Sequence, residues 1–244
     1  MTMRIALGIS AALALAACGQ QAGTGTTASA AAAPVTGKAP PAGKAWSEVV
    51  SATPEGGYRM GNPDAPLKLI EYGSRACPYC AKFDAEGYPA LKEGLIKAGK
   101  LSYEFRDYPI HGALDLAPTL LGHCVGADAF FPMLDQMMSN QQTLLANVEQ
   151  VARPLQGQSG PAVALGFAQG LGYIDFVKQR GLPEAQARAC LSDQKAIQAI
   201  ADRYQAANQQ YNVSGTPTFI LNGRKLDNVG DWAQLQPALK AAGG

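Results

Sequence analysis

Histidine is almost missing from this chain of 244 residues, which has two, and so is any imbalance of charge, with 20 Lys and Arg against 19 Asp and Glu. Few histidines leave few ligands for a metal centre, and balanced charge supplies no field that would draw the protein to nucleic acid or acidic lipid. Long hydrophobic runs are absent beyond the N-terminus, which excludes a protein that crosses a membrane repeatedly. What is plentiful is core material: 47% of residues are hydrophobic, enough for a globular body over most of the chain.

The N-terminus reads as an export signal: Arg4, an apolar stretch from Ile5 to Ala14, then Leu15-Ala16-Ala17-Cys18. About a dozen apolar residues fall short of the roughly 20 that a spanning helix needs. Leu-Ala-Ala-Cys looks like a bacterial lipobox, in which residues 1–17 are removed and Cys18 takes a lipid; the alternative is an ordinary signal peptide with an incidental cysteine. Lipidation would tether the protein to a membrane in the periplasm. Residues 18–45 are dominated by Ala, Gly, Thr, Ser, Pro and Gln and predict a flexible tether, roughly 25 to 30 Å in mean span.

Trp46 marks the return of structure as a short lead-in. Leu67 to Tyr72 has strand composition, the following Gly-Ser-Arg-Ala-Cys-Pro turns into a helix, and the helical period runs through Leu91, Leu95 and Ile96 to a stop at Gly99. Leu101 to Arg106 alternates as a second strand, which makes a βαβ unit. Near the other end, Thr218 to Leu221 and Arg224 to Leu226 flank Asn222-Gly223, a hairpin signal. Trp232, Leu235 and Leu239 line a last helix that Pro237 interrupts or kinks. Between these halves the apolar spacing is helical, and the Gly- and Ala-rich stretch 157–172 has no assignable element. The expected division is 46–111 with 195–244 as an α/β domain, and 112–194 as an all-helical insertion.

Five cysteines become four if Cys18 is lipidated. Cys77-Pro78-Tyr79-Cys80 stands at a helix start. Pro78 suits the first helical position, which puts Cys77 at the N-cap beside free amides and the positive end of the helix dipole. That favours its thiolate, the attacking species, and Cys80 one turn on can resolve a mixed disulfide. Arg75 either adds positive potential there or stands in solvent. A zinc half-site is the competing reading, but it needs two more ligands, and only His111, His123, Cys124 and Cys190 are on offer without familiar spacing. No metal and no cofactor are expected. Cys124 and Cys190 read as a structural disulfide worth roughly 4 kcal/mol, or alternatively as a second redox pair.

Several runs carry a resemblance: Met60-Gly61-Asn62-Pro63-Asp64-Ala65-Pro66, Cys77-Pro78-Tyr79-Cys80, Phe131-Pro132-Met133, and Gly215-Thr216-Pro217-Thr218-Phe219 with Asn222-Gly223. From Tyr58 to the C-terminus the chain resembles the DsbA-like branch of the thioredoxin superfamily. The resemblance implies a thioredoxin fold with an inserted all-helical domain, Pro217 cis against the active-site sulfurs, and Thr216 free to pair with an extended substrate strand. An ordinary trans proline on an edge strand is the alternative. Glu71 matches a buried acid that helps move the proton of the second cysteine, although a surface carboxylate would read the same. Two departures stand out. Pro-Tyr replaces the Pro-His of strong oxidants, which suggests weaker oxidising power, and 157–172 is longer than the usual connection, which suggests an enlarged helical cap.

The expected activity is thiol-disulfide exchange on unfolded or reduced exported proteins, as a dithiol oxidase recycled by a membrane redox partner, from a monomer. A periplasmic reductase or isomerase, a metal-binding lipoprotein using the same cysteines, and a catalytically silent scaffold are the alternatives.

Overall fold

A computed structural model describes residues 32–244, so the expected signal 1–17 and Cys18 lie outside the described residues. Trp46–Glu48 forms one 3-10 turn, and the short strands β1 (Val50–Ala52) and β2 (Tyr58–Gly61) follow. Next come β3 (Leu67–Gly73), α1 (Pro78–Glu86), α2 (Tyr88–Leu91), a π-helical turn over Lys92–Ile96, and β4 (Leu101–Asp107). The helical stretch comprises α3 (Ala113–Cys124), α4 (Ala127–Ser139), α5 (Gln141–Leu144), α6 (Val148–Ala152), α7 (Gly160–Gly170), α8 (Tyr173–Lys178) and α9 (Glu184–Leu191). The chain returns through α10 (Gln194–Tyr211) to β5 (Thr218–Leu221), β6 (Arg224–Lys225) and α11 (Trp232–Ala241).

The described residues form a six-stranded sheet in the order β1-β2-β4-β3-β5-β6. β3 and β4 are parallel, joined through α1 and α2 as the spacing predicts, and the remaining pairs are antiparallel. This is a thioredoxin fold with a helical insertion. Strand alternation decides which face each side chain serves. Leu67, Leu69 and Glu71 share the face packed on Phe83, Leu91, Leu235 and Leu239, whereas Tyr72 lies on the other face with Tyr108, Ala207 and Ile220. A separate apolar cluster within the helical stretch joins Leu120, Leu121, Met133, Phe167 and Leu191.

The structure differs from the sequence reading at several points. Residues 32–45 are fastened to the body: Ala32 N–H donates to Ala241 O at 2.9 Å, Val35 N–H to Gly243 O at 2.8 Å, and Trp46 Nε1 to Lys38 O at 2.6 Å. The composition of the stretch hides this because two residues, Val35 and the buried Trp46, hold it. Strands β1 and β2, of three and four residues, are too short to leave a periodic signal. The stretch 157–172 contains α7, where Gly166 and Gly170 occupy one face: a Cβ on either would overlap the side chain of Leu155 or Val151, so the glycines serve close helix packing and not a loop.

α11 continues through Pro237. The helix is capped by Asp231, whose carboxylate accepts from Gln234 N–H at 2.9 Å, and the proline sits on the exposed face.

Candidate redox site

The turn between β3 and α1 positions the two cysteines. Cys77 has extended backbone at the N-cap of α1, Pro78 occupies the first turn, and neither Cys77 nor Cys80 is in a disulfide. Gln141 pins this turn from α5, its Nε2 donating to the carbonyls of Arg75 and Cys77 at 3.0 Å each. Across from it the Thr216–Pro217 peptide is cis, and Cys77 Sγ lies 3.3 Å from Thr216 O. The Thr216 hydroxyl is buried and has no hydrogen-bond partner among the described residues.

The two sulfurs differ in acidity. Cys77 is lowered to about 5, first by the hydrogen bond from Cys80, against the opposing effect of burial, and then by Thr216 and the amides of Cys80 and Tyr79. Cys80 is raised well above the ordinary thiol, first by burial and then by its bond to Cys77. Its sulfur accepts from Ser74 N–H at 3.5 Å. Glu71 is 1% exposed, so it is the buried acid and not the surface carboxylate. Burial pushes its carboxyl up to about 8 against the hydrogen bond of 2.6 Å that Tyr103 donates to it, and the charges of Asp84 and Cys77 push the same way as burial.

Tyr79 is 67% exposed and, with Lys82, Thr216, Pro217, Asp231 and Gln234, lines a groove of about 390 Å³ beside the sulfurs. Cys124 and Cys190 are bonded to each other, with Cα atoms 6.1 Å apart, and tie the end of α3 to α9. The four-cysteine metal site left open by the spacing thereby loses two ligands. Cys18 lies outside the described residues.

Arg75 takes neither place the sequence offered it. Its side chain is 0% exposed and forks onto Asp107, Nε to Oδ1 at 2.7 Å and Nη2 to Oδ2 at 3.2 Å, with the guanidinium 5.0 Å from the Phe130 ring centre. A Cβ on Gly122 would overlap that guanidinium, so glycine is needed there. Burial would raise the Asp107 carboxyl, but the charge of Arg75 and the His123 ring at 3.0 Å outweigh it and hold it well below the usual range. Sequence reasoning missed Asp107, His123 and Gln141. In the parallel register Asp107 stands opposite Gly73, at the same end of the sheet as Arg75.

Residues 53–241 match the family model described as Thioredoxin. The chain belongs to the thioredoxin family. A Rickettsia bellii protein bearing the provisional name protein-disulfide oxidoreductase is 26% identical over 169 residues, 69% of this chain and 58% of that protein. The chain therefore spans little more than half the length of that relative. The crystal structure of a protein-disulfide isomerase from Novosphingobium aromaticivorans superposes with a TM-score of 0.70 at 29% identity, over 74% of this chain and 94% of that one. Wolbachia pipientis alpha-DsbA1 shares the fold, with a TM-score of 0.59 at 19% identity over 75% and 88% of the two chains. The family is thus that of thioredoxin, and the fold is one that alpha-DsbA1 shares.

Proposed function

We propose that the protein catalyses thiol-disulfide exchange on exported proteins, with Cys77 as nucleophile and leaving group and Cys80 as the resolving thiol. The observation that carries this reading is the placement of the two free cysteines, Cys77 at the N-cap of α1 facing the cis Thr216–Pro217 peptide and Cys80 buried one turn on, with which a lowered Cys77 and a raised Cys80 agree. In the oxidising direction a substrate thiolate attacks Cys77 Sγ of the Cys77–Cys80 disulfide, and Cys80 leaves and takes a proton. A second thiolate of the same substrate then attacks the substrate sulfur of the mixed disulfide, forming the substrate disulfide and expelling the Cys77 thiolate. The substrate ends oxidised, the enzyme reduced. An acidic Cys77 leaves readily, which favours the oxidase direction. Glu71, protonated at neutral pH with a pKa of about 8, is suited to supply the proton that Cys80 needs.

The groove at Tyr79, Thr216 and Pro217 would take an extended segment of substrate, paired through main-chain groups of Thr216 with little side-chain preference. Export to the periplasm, a lipid on Cys18 and a membrane partner that reoxidises the pair complete the reading. The described residues contain no helix long and apolar enough to cross a membrane. The Cys124–Cys190 bond serves as a structural staple.

An isomerase or reductase is the second reading, favoured by the likeness to the Novosphingobium protein-disulfide isomerase. The reduction potential separates the two: a value near about −120 mV fits the oxidase, one near about −270 mV a reductant. Cys80→Ala should accumulate mixed disulfides between Cys77 and exported proteins in vivo, and none would appear if the protein were a metal carrier or a silent scaffold.

A further inference from the structure

The redox turn is held at two levels. Its side chains reach into the fold: Ser74 Oγ donates to Asp115 Oδ1 at 2.7 Å, and Arg75 forks onto Asp107. The main chain at Cys77 has fewer holds. Its N–H donates to Ser74 O at 3.2 Å and its carbonyl accepts from Ala81 N–H at 3.1 Å, both within the turn and α1. Among the described residues, the hydrogen bond that reaches this main chain from elsewhere in the fold comes from Gln141, whose Nε2 also engages the Arg75 carbonyl. An amide nitrogen carries two hydrogens, and the two carbonyls, each 3.0 Å away, take one apiece. Gln141, Arg75, Ala76 and Cys77 are all buried, so water has little access to replace these bonds. The base of the side chain is fixed as well. Asn140 closes α4 by donating from its N–H and Nδ2 to Gln136 O at 3.2 and 2.8 Å, Gln141 opens α5, and Leu144 of the same short helix lies in the apolar cluster of the insertion.

We propose that Gln141 is a positioning residue for the exchange reaction: by holding the Arg75 and Cys77 carbonyls it fixes the main chain at Cys77 and, through it, the direction of Cys77 Sγ. The helical insertion then supplies part of the redox site. This rests on the reading of Cys77 as the exchanging sulfur. Exchange needs three sulfurs in line, with Cys77 Sγ in the middle when a substrate thiolate displaces Cys80, and a misplacement of about 1 Å costs up to about 10²-fold in rate. The direction of Sγ follows from the Cys77 main chain, because the Cα–Cβ bond is set by the backbone atoms around it. The same direction brings Sγ to Cys80, to Thr216 and to the amides of Cys80 and Tyr79, the contacts that favour its thiolate against burial. Without Gln141 the Arg75 carbonyl is left buried with no donor among the described residues, and the turn has to shift to bring it to water.

The test uses the full chain and two variants, with rates counted per folded molecule. Gln141→Leu keeps the bulk and removes both donors. Its exchange with glutathione should slow about tenfold, and the Cys77 thiolate transition, followed by ultraviolet absorbance, should move upward. Gln141→Glu keeps the shape and separates positioning from packing. Protonated, its carboxyl donates to one carbonyl; ionised, it sets a negative charge against two carbonyl oxygens. Its rate relative to wild type at the same pH should therefore fall about tenfold between about pH 4 and pH 8, as burial among acceptors draws its titration into that range. A side chain that only filled space would leave this ratio flat. Wild-type exchange in Gln141→Leu, or a ratio for Gln141→Glu that does not change with pH, would overturn the proposal; should Gln141→Leu not fold, the Gln141→Glu ratio decides alone. A wild-type protein with an ordinary Cys77 thiol and no exchange would remove the underlying function instead, and the inference with it.

Discussion

Arg75 and Asp107 form a forked ion pair, 2.7 and 3.2 Å, with side chains 0% and 4% exposed, directly beneath the turn that carries Cys77. A buried pair of this kind is weak evidence of net stability, but removing one partner leaves the other charge buried alone. Arg75→Ala should therefore destabilise the protein by about 3 to 5 kcal/mol in urea unfolding. Asp107 has its folded pKa depressed, so its contribution is complete above the unfolded value of about 3.9 and is lost as pH falls below it toward the folded value. Unfolding midpoints that do not fall between about pH 4 and pH 2 would count against the pair.

Glu71 works in the opposite sense. Its folded pKa is raised from 4.5 to about 8, so the folded state holds a proton that the unfolded state releases, and stability falls as pH rises between those values. The full rise corresponds to at most about 5 kcal/mol at alkaline pH. Glu71→Gln keeps the shape and a partner for Tyr103 but cannot ionise. It should be more stable than wild type by a margin that grows between about pH 4 and pH 8, while exchange slows by up to about 10²-fold. Equal stability at both ends of that range would show that Glu71 ionises freely.

The redox turn is legible because its signals are local and redundant: a run of strand composition before it, a proline and two cysteines at helix spacing within it, and an alternating strand after Gly99. The hairpin at Asn222-Gly223 was legible for the same reason. What the sequence concealed is made by single residues acting at a distance. Arg75 finds Asp107 across 32 positions, and Gln141 reaches the carbonyls of Arg75 and Cys77 from the helical insertion. Neither leaves a periodicity. His111 and Ser74 meet only because β3 and β4 end side by side, a consequence of the parallel register. α7 was obscured for another reason: its glycines lower helix propensity and are present for packing against Leu155 and Val151.

The acidity of Cys77 depends first on the hydrogen bond it receives from Cys80. Cys80→Ala should therefore move the Cys77 thiolate transition, followed by ultraviolet thiolate absorbance, upward from about 5, while the amides of Cys80 and Tyr79 still keep it below the free thiol. A transition at the wild-type position would mean that Thr216 and the helix N-terminus account for the acidity, and that the resolving cysteine has no part in activating its partner.

The Cys124–Cys190 bond closes a sequence separation of 66 residues and staples α3 to α9 in the helical core. Restricting the unfolded chain over such a loop contributes about 4 kcal/mol in the chain-entropy picture. The double variant Cys124→Ala with Cys190→Ala should lose about that much in urea unfolding, yet its Cys77 and Cys80 should exchange with glutathione at the wild-type potential, because neither sulfur contributes to the acidity of Cys77. A shifted potential with unchanged stability would reverse the assignment and make this bond a redox group rather than a staple.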